Sequence, residues 1–159
     1  MNVKVDPRGP RFGAVITTTV LALVLLTAPS TLATSLLTLQ TIVFALGAFA
    51  GLQYHPYGWV FRTFVRPKLS PPLELEDSAP LRFAQLVGFI FAAVALVASL
   101  GSAETVALVA TGVALGAAFL NAAFNICLGC EMYLLGKRLT AKEIFSFSDL
   151  VELNLNNPL

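Results

Sequence analysis

Chemistry in this chain begins with sulfur. Cys127 and Cys130 are its only cysteines and stand three residues apart in the run NAAFNICLGCEMYLLGK over Asn121–Lys137. On a helix such residues share one face, with Cα atoms about 5 Å apart, a separation a disulfide tolerates. In an intracellular chain this spacing reads first as redox or metal chemistry. The competing reading treats each thiol as a small apolar residue that packs well. Two cysteines falling together beside Gly129 weigh against it. His55, the only histidine, and Glu131, next to Cys130, would complete a tetrahedral set for zinc or iron. A lone histidine lacks the paired spacing of zinc motifs, and an interfacial residue capping the end of the second helix is the simpler account of His55.

Other chemistry is sparse. The chain has no phosphate loop, no GxSxG and no HExxH. Acidic residues are absent from the middles of the apolar runs, which argues against an ion-coupled transporter or a proton relay. Asn121 and Asn125, four apart, are expected to bond across to Gln85 or Gln40, glue worth about 1 kcal/mol or less.

The elements that must carry the cysteines are hydrocarbon-compatible. Of 159 residues, 57% are hydrophobic and 12% charged, against roughly a quarter charged in soluble domains; mean hydropathy is +0.80. Four apolar runs approach the roughly 20 residues that cross a bilayer. The composition predicts an all-α, four-span transmembrane bundle with helices at about 13–28, 35–54, 83–100 and 105–136. A polar arm, 1–12, whose prolines oppose helix, precedes them, and a tail, 139–159, follows. The basic start and the small residues near Ala33 also fit a signal peptide, but three more spans follow. The loop over 55–82 opens with an amphipathic segment in which Trp59, Phe61 and Phe64 alternate with Arg62 and Arg66, a membrane–water anchor. Glu74, Glu76 and Asp77 read as a solvated acidic spot. Gly47/Gly51 and Gly112/Gly116 are spaced as GxxxG, which opens a strip for a neighbouring helix, within the bundle before a dimer.

All ten Lys and Arg fall in the arm, the 55–82 loop or the segment after the last span. The positive-inside rule then places both termini in the cytoplasm and the chain in the inner, plasma membrane. A net charge of +1 carries no nucleic-acid footprint. The last helix shows no breaker from Thr105 to Lys137, so it spans about 50 Å, more than the lipid core, and its lower turns emerge with the cysteines. Near a helix C-terminus and beside Glu131 a thiolate is disfavoured, with Lys137 and Arg138 offsetting this only in part. The pair is thus expected to be a poor spontaneous nucleophile that acts when a partner or metal approaches.

Several segments together resemble the bacterial membrane family catalogued as domain of unknown function 4395. They are VDPRGPRF at Val5–Phe12, HPYG at His55–Gly58, VRPKLSPP at Val65–Pro72, EDSAPLRFAQLVG at Glu76–Gly88 and FNICLGCEMYLLG at Phe124–Gly136. The resemblance covers Val5–Arg138, and the tail looks longer than the family core. Members look like compact four-helix membrane proteins, common in actinobacteria and encoded near thioredoxin-like proteins and sulfurtransferases. That implies thiol or sulfur handling at Cys127 and Cys130.

The leading expectation is exchange of electrons or sulfur with a thioredoxin-like or sulfurtransferase partner. A quinone is a conceivable membrane-side acceptor, though no residue marks its site. A different class, a non-catalytic accessory subunit of a larger membrane complex, would dock through Tyr57–Pro72 and the tail. Metal binding comes third.

Overall fold

The computed structural model describes residues 4–72 and 74–140. The surface helix or docking strand expected after Thr140 lies outside them. The spans are α1 (Arg8–Thr27), α2 (Thr31–Ala45, continued by a π-helical turn over Leu46–Ala50), α4 (Ser78–Leu100) and α5 (Glu104–Phe124). A short α3 (Pro56–Val60) separates the first two from the last two. Three of the four begin earlier than hydropathy suggests, because a helix's first turn can be polar and lie outside the lipid. Pro7 stands at the N-cap of α1 and Pro10 in its first turn, where N–H groups have no intrahelical acceptor to lose. The prolines expected to oppose a helix therefore sit at its start, at Arg8 rather than Gly13. Ser30 caps α2, its Oγ accepting from the Ala33 N–H at 3.1 Å, and moves the start from Ser35 to Thr31. Pro80 occupies the first turn of α4, which starts at Ser78 rather than Phe83.

α1 packs on α2 and α5, and α4 packs on the same two, closing a ring of antiparallel neighbours. The centre of the ring is built largely from small residues: Ala33, Ala92, Ala95, Ala110 and Ala114 join Leu21, Leu37 and Phe44. The bulky side chains face outward, among them Ile90, Val94 and Val97 on α4 and Val109, Val113 and Phe119 on α5. In water such a surface would be a large apolar patch. Against lipid it costs nothing, and alanine lets the backbones approach. The four helices have mean hydropathies from 1.6 to 2.3 and are long and apolar enough to cross a membrane. This is a membrane protein of all-α, four-helix architecture.

One buried polar cluster inside the ring is paired. Gln40, fully buried, donates to Thr17 Oγ1 at 3.3 Å and accepts from the Tyr57 hydroxyl at 2.9 Å, joining α1, α2 and α3. The asparagines expected to hold it do not. The glycine pairs also divide. A Cβ on Gly47 would lie 2.8 Å from His55 Cδ2 and 2.9 Å from Gln85 Cγ, so this glycine sets a close approach, while Gly51 ends its helix at φ +104°. Gly112 and Gly116 meet nothing within 4 Å, and the packing within the bundle expected of them is not found among the described residues.

One end of the ring collects the basic residues. β1 (Lys4–Val5) pairs antiparallel with β2 (Glu76–Asp77), setting Lys4 opposite Asp77. Arg8 bridges Asp6 at 2.9 Å and donates to the Ser70 carbonyl at 2.9 Å. Arg11 Nε donates to the Ala122 carbonyl at 3.1 Å, and Arg82 to that of Ala48 at 3.0 Å, so each guanidinium satisfies a helix C-terminus. α3 continues through a π-helical turn, Phe61–Val65, to a 3₁₀ turn, Arg66–Lys68. It is the amphipathic segment expected here: Trp59 and Phe64 are 56% and 58% exposed and stack edge to face. Phe61 is a correction, because it is buried against Phe12 and Gly9 and anchors the segment to α1 instead of to lipid.

Candidate functional site

The unbroken last helix expected over 105–136 does not form. α5 stops at Phe124, and Asn125 takes left-handed backbone angles (φ 58°) with its N–H bonded back to the Asn121 carbonyl at 3.1 Å. Asparagine is among the few side chains that accept this conformation, and the 5→1 bond, joined by one from the Ile126 N–H to the Leu120 carbonyl at 3.3 Å, is a recognised kind of helix stop. Asn121 and Asn125 therefore act through the backbone; among the described residues neither side chain bonds to another helix. A new helix, α6, runs over 128–140.

This break reverses the electrostatics of the cysteines. Cys127 is the N-cap of α6: its carbonyl accepts the first intrahelical bond, from the Glu131 N–H at 3.0 Å. Its Sγ receives the Cys130 N–H at 3.4 Å. The pair sits at the positive end of a helix, where a thiolate is stabilised, instead of the negative end where one is disfavoured. The structure joins Cys127 to Cys130 in a disulfide, with Cα atoms 5.2 Å apart. Both residues are partly exposed, and Glu131 points outward.

Gly129 fixes the position of this turn. A Cβ there would stand 2.6 Å from Ala84 Cα and 2.7 Å from Ala84 Cβ, so only glycine lets the turn rest on the first turns of α4. Phe83 and Tyr133 extend the contact with ring centroids 5.8 Å apart.

His55 lies elsewhere. It caps α3, its Nδ1 accepting from the Gly58 N–H at 3.3 Å, and it is 6% exposed. It does not cap the end of the second helix, as expected, but the start of the helix after it. Burial pushes its pKa down to about 4; Gln85 alongside opposes this without a well-aligned hydrogen bond, and the Arg62 charge adds to it. With Nδ1 engaged, His55 is not gathered with Cys127, Cys130 and Glu131. No three of His, Cys, Asp and Glu converge as a cation site among the described residues. Trp59, Arg62, Phe64 and Arg66 stay together on the anchor segment, with Arg62 donating to the Leu52 and Gln53 carbonyls at 3.3 and 2.6 Å.

Sequence reasoning missed the break and the polar pair His55–Gln85. Asn-Ile-Cys, an asparagine directly before the cysteine turn, was the available signal for the first. For the second it was a glutamine two turns into an apolar helix.

The family model described as a domain of unknown function, DUF4395, matches residues 5–138. No curated protein matches the chain, and no solved structure does.

Proposed function

The chain belongs to the DUF4395 family, and from that premise we propose that it is a thiol–disulfide exchange protein of the inner membrane, working at the cytoplasmic face through Cys127 and Cys130. One observation carries the reading: Cys127 caps a helix with the Cys130 N–H on its sulfur. A dithiol partner of thioredoxin type attacks Cys127 Sγ; the Cys127–Cys130 bond breaks and Cys130 leaves as a thiolate that takes a proton. The partner's second thiol then attacks the mixed disulfide and releases Cys127. Two electrons pass to this chain, and the partner becomes a disulfide. A sulfurtransferase persulfide can return the reduced pair to the disulfide. Its terminal sulfur passes to the Cys127 thiolate, and Cys130 displaces it as hydrosulfide, closing the disulfide.

Purified protein mixed with reduced thioredoxin tests this. One thioredoxin dithiol should be consumed per chain, and Cys130→Ser, its Cys127 thiol first activated as a mixed disulfide with thionitrobenzoate, should trap a thioredoxin lacking its second thiol through Cys127 with release of one thionitrobenzoate. No consumption, with the Cys127–Cys130 disulfide intact, defeats the reading. An impermeant maleimide should reach the reduced pair in inverted vesicles and not in intact cells; the opposite pattern puts the face outside.

A second reading is favoured by the open strip at Gly112 and Gly116: an accessory subunit that docks a partner's helix on α5. In that case Cys127→Ser/Cys130→Ser leaves assembly intact, whereas Gly116→Leu dissociates it.

A further inference from the structure

A cavity of about 550 Å³ opens between the start of α1, the end of α2, α3 and the start of α4. Its wall carries Lys4, Arg62, Arg66 and Arg82, with Asp6 as the only acidic residue. Asp6 is already taken: Arg8 grips both carboxylate oxygens at 3.0 and 2.9 Å. Arg62 and Arg82 each spend donors on carbonyls at the end of α2 and keep others free, and Arg66 has no side-chain partner among the described residues. At the back lies the neutral His55 with Gln85, whose Oε1 is buried and has no hydrogen-bond partner. Buried acceptors are ordinarily satisfied; the His55 ring faces this one without an aligned bond, which leaves the oxygen open to a donor from a ligand. The cavity wall also includes Gly58, Phe61 and Arg62 of the segment that carries the exposed Trp59 and Phe64, the kind of segment expected at lipid headgroups.

We propose that this cavity is a binding site for a phosphate that bears a hydroxyl group. The arginines and Lys4 hold the phosphate oxygens and the hydroxyl donates to Gln85. Arginine suits this task because its planar fork offers paired donors to phosphate. Two sources share the chemistry: the headgroup of a phosphatidylglycerol-type lipid, entering from the bilayer, and a free phosphate, entering from water.

Trp59 is the only tryptophan and directly follows Gly58 of the cavity wall, so its fluorescence is read for occupancy in the full chain solubilised in neutral detergent. Dihexanoylphosphatidylglycerol, dihexanoylphosphatidylcholine and inorganic phosphate are titrated separately. Saturable binding of phosphatidylglycerol and not phosphatidylcholine identifies a headgroup site, and saturable binding of inorganic phosphate identifies a soluble-anion site. In either case Lys4→Gln and Arg66→Gln should each weaken binding about 5-fold, and together about 25-fold. Lys68→Gln removes the same charge outside the cavity wall and should change nothing. The proposal is overturned if neither anion saturates, if phosphatidylcholine binds equally well, or if Lys68→Gln weakens binding as much as Arg66→Gln. Retained Gln40–Tyr57 packing, checked by thermal unfolding, separates lost binding from lost fold.

Discussion

Gly129→Ala and Gly136→Ala make the same chemical change in one helix and should have opposite effects. At Gly129 the added methyl would stand 2.6 Å from a backbone carbon of Ala84, roughly 1 Å inside ordinary contact. No flexible side chain is there to yield, so α6 must lift off α4. Overpacking of this kind costs about 1–3 kcal/mol, and the gain in helix propensity, at most about 1 kcal/mol, offsets only part of it. Gly136 faces open space, so alanine there meets no cost and gains that propensity in full. Amide hydrogen exchange over 130–138 reads both. Gly129→Ala should speed exchange about 5- to 10-fold, the equivalent of roughly 1 kcal/mol net, and Gly136→Ala should slow it about 5-fold. Reduction of the disulfide by thioredoxin should also change in Gly129→Ala and not in Gly136→Ala. If both variants slow exchange alike, Gly129 does not seat the cysteine turn on α4 and that part of the argument fails.

Two other perturbations bear on the bundle. Tyr57→Phe leaves the buried Gln40 Oε1 without its 2.9 Å donor, and thermal unfolding in detergent should show a loss of about 1 kcal/mol; no change would mean water already serves Gln40. For His55, the folded pKa near 4 lies below the usual 6.5, so between those values the unfolded chain binds a proton that the folded chain refuses. Stability should therefore be flat above about pH 7 and fall on acidification, by up to about 3 kcal/mol at pH 4. His55→Gln should flatten that slope, and an unchanged slope would assign it to other groups.

The spans and their grouping of basic residues were legible because lipid leaves a one-dimensional imprint. Runs such as Phe89–Leu100 have to be apolar whatever they pack against. Helix starts were less legible, since hydropathy does not register Pro7, Ser30 or Pro80 as the residues that begin a helix. The cysteines were found by spacing alone, but their electrostatic setting was inverted. Apolar periodicity continues straight through Asn125, and only a backbone angle, not a hydropathy value, ends α5 there. His55, Gln85 and Gly47 meet from three separate stretches, and no local pattern announces such a meeting.

That left-handed asparagine has a further consequence. Were residue 125 one that favours helix, such as alanine, α5 and α6 could fuse into a single rod over 104–140, roughly 55 Å long. The sulfurs would then ride out on a mast, away from the collar of α4, and lose the amide that now greets Cys127. The electrostatic setting of the sulfurs is thus decided by where a helix ends, two residues before Cys127.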